Sequence, residues 1–352
     1  MNFPIIGAKK AGVTEVFDLA DPSSRKEYFQ AKVGEEVAEI RKFLSHDNFL
    51  AYFVGKKNSG KGTYSKLFSE IVGGEKIVHL SIGDLVRETH ANWEKISQGS
   101  EGQRLRVLYR GPLSFEEAEA SLLGRSASQL LPTEFILALL RLKMEEYEGK
   151  SVFLDGFPRE KDQIGYTLLL KDLLGRKNDK DLFILIDIPD SVINERIKYR
   201  VICPICQTPR NPKLLVTKFV GFDTEKGEYY LMCDNPSCNK ARMVRKEGDD
   251  LGIAPIKDRL AKDEEIIQQI YNTYGIPKVL LRNSIPVDKA KECFDDYEFT
   301  PAYSFEKEGG QIITKENPWV VQDNEGVDSY SLMPSPVVVA LIKQMAQVLG
   351  SR

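Results

Sequence analysis

Nine consecutive residues, Gly55-Lys56-Lys57-Asn58-Ser59-Gly60-Lys61-Gly62-Thr63, have the makeup of a phosphate cradle. Glycines let a loop wrap tightly, so that several backbone N–H groups point inward at phosphate oxygens. Lys61 then reaches the outer phosphates of a nucleoside triphosphate, and the Thr63 hydroxyl is placed to meet magnesium. Asp155 ends a separate apolar run and supplies the kind of carboxylate that hydrated magnesium needs nearby. Arg87, Arg159, Arg196, Arg200, Arg245 and Arg259 fall near expected strand ends or beside a cysteine-bearing stretch. Phosphoryl transfer asks a protein for alignment and charge neutralisation more than for covalent chemistry. The planar fork of arginine suits both tasks because it grips phosphate oxygens in pairs.

Four of the five cysteines form two close pairs, Cys203-Pro204-Ile205-Cys206 and Cys233-Asp234-Asn235-Pro236-Ser237-Cys238. Pairs on successive knuckles fit a tetrahedral zinc site, and four thiolates leave no position open for a substrate. The metal would therefore be structural, stabilising a small lobe with little core of its own. Free thiols are another reading of these residues. So is a zinc ribbon that contacts nucleic acid through Arg242, Arg245 and Lys246. Cys293 stands alone and reads as an incidental thiol.

A cradle of this kind works between a strand and a helix, whose N-terminus adds partial positive charge. The apolar residues 49–54 and the stretch from Thr63 to Phe68 meet both demands. Residues 77–80, 151–155 and 182–188 read as further strands. The first leads into Ser81-Ile82-Gly83-Asp84-Leu85-Val86-Arg87 and the second into Gly156-Phe157-Pro158-Arg159. Such apolar runs suit a parallel sheet buried on both faces. Their alternation with helices predicts a doubly wound α/β domain with its ligands at the carboxyl ends of the strands. Helical spacing predicts a helix over 23–44, capped by Asp21 or Ser23. Residues 88–150 read as helical, with a break near Arg110-Gly111-Pro112 and a restart at Leu131-Pro132-Thr133-Glu134. Residues 200–247 interrupt the rhythm, with short strands expected at 214–219 and 229–232. A helix resumes near Pro255. Beyond residue 295 the chain reads as irregular, apart from a strand at 319–322 and a final helix over 336–349.

The 352 residues are 42% hydrophobic and 29% charged, with a net charge of −3. That balance predicts a soluble globular protein and argues against a general nucleic-acid or anionic-membrane binder. No apolar run reaches the length of a membrane span, and the first residues lack the pattern of a signal peptide. The expectation is a cytoplasmic, monomeric protein whose partners are small molecules.

Three motifs occur in order: Gly60-Lys61-Gly62-Thr63, His79-Leu80-Ser81-Ile82-Gly83-Asp84-Leu85-Val86-Arg87, and Leu154-Asp155-Gly156-Phe157-Pro158-Arg159. Together they resemble the adenylate kinases and related nucleoside monophosphate kinases over residues 48–275. The resemblance implies a P-loop NTPase-type fold with a helical monophosphate-binding insert and a zinc-bearing lid. It implies ATP and magnesium as cofactors, structural zinc, and the reaction ATP + AMP = 2 ADP. Gly55, Asn58, Ser59, Gly60, Lys61, Gly62 and Thr63 would hold ATP, with Arg196 against its base and Asp84 and Asp155 orienting magnesium through water. Ser81, Ile82, Arg87, Gly156, Arg159 and Gln163 would bind the monophosphate, Gln163 reading adenine. Lys61, Arg87, Arg159, Arg200, Arg245, Arg259 and Asp155 would serve catalysis. Cys203, Cys206, Cys233 and Cys238 would bind zinc.

The implied layout is an N-terminal helical extension over 1–47, core over 48–80, and an enlarged monophosphate-binding segment over 81–150. Core continues over 151–199, a zinc lid covers 200–247, and 248–352 complete the core and extend it. The sequence departs from the family pattern at Asn58 and Ile82, in the long segment around 90–125, and in the stretch between Arg245 and Asp249. Lys56 and Lys57, unusual in such a loop, are expected to add phosphate attraction. Either Arg242 or Arg245 is expected to face phosphate. The terminal region is expected to supply the last core strand, with the turn Asp323-Asn324-Glu325-Gly326 near the ATP base. Two other functions stay open: a kinase for UMP, CMP or a deoxynucleoside monophosphate, and a nucleotide-binding interaction protein without turnover.

Overall fold

The computed structural model describes residues 1–124 and 131–350; residues 125–130, inside the stretch expected to be helical, lie outside the described residues. Helix α1 (Pro22–Leu44) is capped by Asp21, whose carboxylate accepts from the Ser24 N–H. Strand β1 (Phe49–Gly55) runs through the phosphate loop into α2 (Lys61–Val72), and β2 (Ile77–Ser81) runs into α3 (Ile82–Ala91). Four helices follow: α4 (Trp93–Gln98), α5 (Ser100–Leu108), α6 (Phe115–Leu123) and α7 (Thr133–Glu145). Then come β3 (Ser151–Asp155), α8 (Gln163–Thr167), α9 (Leu170–Leu173), β4 (Lys180–Asp187) and α10 (Asp190–Lys198). The cysteine-bearing lobe is built from β5 (Val201–Ile202), β6 (Pro209–Arg210), β7 (Phe219–Asp223), β8 (Glu228–Met232) and β9 (Val244–Arg245). After it come α11 (Lys257–Tyr271), β10 (Lys278–Arg282), β11 (Ser284–Pro286) and α12 (Val287–Cys293). The chain ends in β12 (Ala302–Glu308), β13 (Gln311–Asn317), β14 (Val320–Gln322), β15 (Asp328–Ser331) and α13 (Pro334–Gly350).

The central sheet has the order β10-β4-β1-β3-β2, all parallel, so the expected P-loop α/β fold is the observed one. Alternation along β1 divides two cores. Phe49, Ala51 and Phe53 face the layer of α1, α2 and α13. Leu50, Tyr52 and Val54 face α7 and α11. Both faces are buried, which is why the strand reads as a continuous apolar run rather than an alternating one. The two cores fix the height of β1 and β3, and hence of the loops at their carboxyl ends.

Three expectations are corrected here. Residues 214–218 form no strand, because the Asn211 side chain accepts from the N–H groups of Lys213 and Leu214 and turns the chain. Leu214 then buries beside Ile193, Leu260 and Trp319. The last core strand is β10, not one from the terminal region. Residues 302–317, expected to be irregular, pair as the antiparallel hairpin β12–β13 around Gly309 and Gly310. That hairpin packs on the cysteine-bearing lobe: the Phe305 and Tyr229 rings lie 5.6 Å apart, and Tyr303 N–H donates to the Lys213 carbonyl at 2.7 Å. Among the described residues no helix is long and apolar enough to cross a membrane.

The N-terminal helix is docked by a buried polar cluster. Tyr28 donates to Glu298, and Lys32 pairs with Asp295 at 2.7 Å. Burial pushes the Glu298 carboxyl above the ordinary glutamate range, against the pull of Tyr28 and Lys32. Its folded pKa therefore exceeds its unfolded one, so stability falls as pH rises from the ordinary glutamate range through the raised value. Glu298→Gln removes the titration while keeping an acceptor for Tyr28. We expect it to flatten that part of the stability curve in urea unfolding repeated across the acidic range; an unchanged slope would show that Glu298 is not the group responsible.

Candidate active site

The phosphate loop is shaped by its own residues. Asn58 adopts the left-handed region at φ 65°, which asparagine tolerates better than most residues, and Gly60 sits at φ 104°. A methyl on Gly60 would also lie 2.7 Å from the Tyr64 ring, so this position takes only glycine. The Tyr64 hydroxyl accepts from Asn283 at 2.7 Å, which props the loop against the start of β11. Asn58 Nδ2 and Ser59 Oγ are buried without a partner. Unspent donors in a loop at a helix N-terminus fit an anionic ligand.

Lys61 Nζ lies folded against the loop, donating to the Gly55 carbonyl at 2.8 Å and the Lys56 carbonyl at 3.0 Å, with Asp155 at 3.8 Å. Burial lowers its pKa, and Asp155 opposes that shift. One cavity gathers Gly55, Lys61, Asp155, Gly156, Arg159, Arg259 and Asp263. Three segments far apart in sequence thus converge: the loop after β1, the loop after β3, and the first turns of α11. Gly156, at φ 95°, bends the chain so closely under Arg159 that a methyl there would meet the guanidinium at 2.8 Å. Arg87 and Arg159 point to a common place above Gly83. A methyl on Gly83 would lie 3.3 Å from Arg159 and 3.4 Å from Arg87. Burial and the neighbouring Arg259 lower the Arg159 pKa, the signature of a site crowded with cations that an anion would relieve.

Other residues singled out from the sequence sit as follows. Ser81 caps α3 by accepting from Asp84 N–H at 3.3 Å. Asp84 pairs with Arg87 on the exposed side of α3. Thr63 is exposed at the start of α2, beside Gly62. Ile82 is 2% exposed and belongs to the core around Leu85 and Leu80, so its side chain is spent on packing. Gln163 is buried with its amide occupied: it accepts from Arg159 N–H at 2.8 Å and donates to Thr133 Oγ1 at 3.0 Å. Arg196 donates to the Asn58 carbonyl at 3.1 Å. Arg200 grips Asp249 bidentately at 2.6 and 2.7 Å. Arg242 is turned away from the cavity, pairing with Asp223 at 2.8 Å and lying over the Tyr230 ring. Arg245 is exposed on β9 opposite Val201. The turn Asp323-Asn324-Glu325-Gly326 caps α10, Asn324 accepting from Asp190 N–H at 2.9 Å.

The two unusual lysines part company. Lys56 is 5% exposed and points out of the cradle, pairing with Asp190 at 2.8 Å and Glu264 at 3.0 Å, so it anchors the loop to α10 and α11 rather than attracting phosphate. Lys57 is exposed. Partial desolvation and the nearby Arg259, Arg200 and Lys246 lower its pKa, so it shares its surroundings with other cations. Asp263 escaped the sequence reading. Its spacing of four from Arg259 on a helix, which puts both on one face, was the signal available.

Of the oxygen donors expected to meet magnesium, the Asp155 carboxylate lines the cavity, and such a hard donor fits a divalent cation of that kind. In the cysteine-bearing lobe, the sulfurs of Cys203, Cys206, Cys233 and Cys238 all lie within 4.8 Å of one another. The hydrogen bond with Thr208 draws the Cys206 thiol down to about 6, whereas burial pushes the Cys238 thiol up to about 12. Four soft, converging sulfurs fit zinc in a closed site.

Residues 54–201 match the family model for an AAA domain. The chain is 29% identical over 223 residues to an adenylate kinase of Clostridium novyi, covering 63% of this chain and 84% of that enzyme. It is 28% identical over 197 residues to an adenylate kinase of Mycoplasma mobile, covering 56% of this chain and 73% of that one. Over 156 residues it is 31% identical to chloroplastic adenylate kinase 1 of Arabidopsis thaliana, 44% of each chain.

Proposed function

The chain belongs to the adenylate kinase and nucleoside monophosphate kinase family, and from that premise we propose that it converts ATP and AMP reversibly to two ADP. The observation that carries the proposal is the meeting of Lys61, Asp155, Arg159 and Arg259 in one cavity, with Arg87 and Arg159 converging above Gly83 beside it. A phosphoryl group in that cavity would lie between a triphosphate cradle on one side and a paired-arginine monophosphate site on the other. Transfer between two nucleotides requires such an in-line approach, and this placement of cations would support it.

In this reading the loop N–H groups and Lys61 hold the triphosphate. Lys61 leaves the Gly55 and Lys56 carbonyls to do so. Arg87 gives up Asp84 and, with Arg159, takes the acceptor phosphate. Arg259, Arg200 and Arg245 complete the cationic surround once the cysteine-bearing lobe closes as a lid. Closure excludes the water that would otherwise accept the phosphoryl group. Bound magnesium, held through Thr63, Asp84 and Asp155, would supply further neutralisation of the phosphate oxygens. Zinc on the four cysteines would hold the lid in shape.

A second reading keeps the chemistry and changes the acceptor. It draws on Ile82, buried in the core, and on Gln163, whose amide is already shared between Thr133 and Arg159. Adenine would have to displace the Thr133 hydroxyl, a neutral hydrogen bond worth about 1 kcal/mol.

The test is transfer from Mg-ATP to AMP, dAMP, GMP, CMP and UMP, with heat-inactivated protein as the blank. Selective ADP formation with AMP supports the proposal. Preference for a pyrimidine monophosphate overturns the acceptor and keeps the mechanism. ATP binding without transfer to any acceptor overturns both readings.

A further inference from the structure

Asp263 is an anion in a cavity otherwise built for anions. It lines the same space as Lys61, Arg159 and Arg259, alongside Asp155. Its Oδ2 accepts from the Lys57 N–H at 3.1 Å, so the carboxylate is held against the rim of the phosphate loop from the first turns of α11. Among the described residues it forms no ion pair, unlike Glu264, which is tied to Lys56 at 3.0 Å on the far side of the loop. Asp263 therefore meets the cations of the cavity through space rather than through a contact that would neutralise it. Burial raises its pKa, and Arg259 and Lys61 oppose that shift.

A fixed carboxylate beside a phosphate cradle has two effects of opposite sign. It repels a bare polyphosphate, and the repulsion is strong where solvent is largely excluded. It opposes far less, and through water can favour, a polyphosphate whose charge is partly neutralised by a divalent cation. We propose that Asp263 is a specificity-determining residue of the phosphate site, a built-in counter-ion that makes the cradle select metal-complexed nucleotide over the free polyanion. The inference rests on the reading that this cavity takes nucleotide phosphates. Asp155 alone does not do this work, because its charge is turned on Lys61 at 3.8 Å.

The same geometry has a plainer interpretation, in which Asp263 only tethers the loop by accepting from Lys57. Asp263→Asn separates the two, because asparagine keeps the acceptor oxygen and removes the charge. Affinity for ATP is measured by calorimetry on the full chain, once with excess magnesium and once with excess EDTA, and adenosine serves as the uncharged probe. In the native protein the magnesium complex should bind more tightly. In Asp263→Asn, free ATP should gain about tenfold in affinity while adenosine is unchanged, so the preference for the magnesium complex shrinks by about that factor. An unchanged preference, or an equal loss for both forms of ATP, would overturn the proposal in favour of the tether. A native protein that binds ATP in neither form would overturn this inference together with the function it rests on. A native protein that binds ATP but transfers to no acceptor would leave the binding test intact. Asp263→Glu, which keeps the charge at a longer reach, should retain the preference; if it behaves as asparagine does, shape rather than charge is responsible.

Discussion

Lys61→Ala should slow phosphoryl transfer by about a thousandfold or more, with a much smaller change in nucleotide affinity. Removing one preorganised donor aimed at developing charge costs about 10²–10³ in turnover, and cationic groups on a transferring phosphoryl reach 10³–10⁵. Lys61 belongs with the larger class, because its ammonium is half-buried and lines the cavity that also holds Arg159 and Arg259. Alanine also deletes two hydrogen bonds to the Gly55 and Lys56 carbonyls. Those bonds brace the loop and must be given up when Lys61 turns to phosphate. Their loss should cost about 1–2 kcal/mol in stability, so thermal unfolding of the variant should shift only modestly. Single-turnover transfer and ATP binding are measured side by side. A variant that transfers within tenfold of the native rate would remove Lys61 from the centre of the chemistry.

The second large effect concerns the four cysteines. Cys233→Ser should empty the site of zinc and unfold the lobe around it, while the five-stranded core remains. The lobe has few resources of its own. Its apolar cluster is small, with Val201, Leu231 and Met243 packed around Cys203, Cys233 and Cys238. The strands β5, β6 and β9 are two residues each. Zinc in comparably small folds contributes about 10–16 kcal/mol of apparent binding free energy, which is folding free energy when no site preforms. Hydrogen exchange should therefore rise across residues 201–247 and stay low in β1, β3 and β4. Metal analysis should find one zinc per native chain and none in the variant. Transfer should fall at least a hundredfold, since Arg200 and Arg245 would lose their placement. Native protein free of metal, with the same protected lobe, would show that the thiols pack without an ion. The hairpin β12–β13 gives that outcome a physical route, because Phe305 covers part of the lobe from outside.

Much of this protein is written in contiguous residues. The phosphate loop is legible because its shape depends on its own backbone: Asn58 and Gly60 take left-handed conformations, and β1 and α2 flank them directly. The parallel sheet is legible because strands buried on both faces must be apolar throughout, as 49–54 and 182–186 are. The cysteine pairs are legible because knuckle spacing is local, and the four sulfurs do converge.

What the sequence could not decide is which distant side chains share a space. Lys56 and Lys57 are neighbours of one type, yet one is buried against Asp190 and Glu264 and the other is exposed. Alternation along the loop and the approach of α10 and α11 settle that difference. Ile82 reads as a pocket residue by its place in a motif, but the packing of α3 on the core turns it inward. The hairpin at 302–317 carried a local sign in Gly309-Gly310, yet what it covers is set by pairings with a lobe some seventy residues earlier. Asp263 is the clearest case. Its spacing of four from Arg259 is the one local sign, and it enters the site only because α11 packs beneath β1 and brings it to the Lys57 N–H. Local chemistry fixes the parts that bind; long-range packing, driven by apolar burial that is blind to direction, decides which charges those parts face.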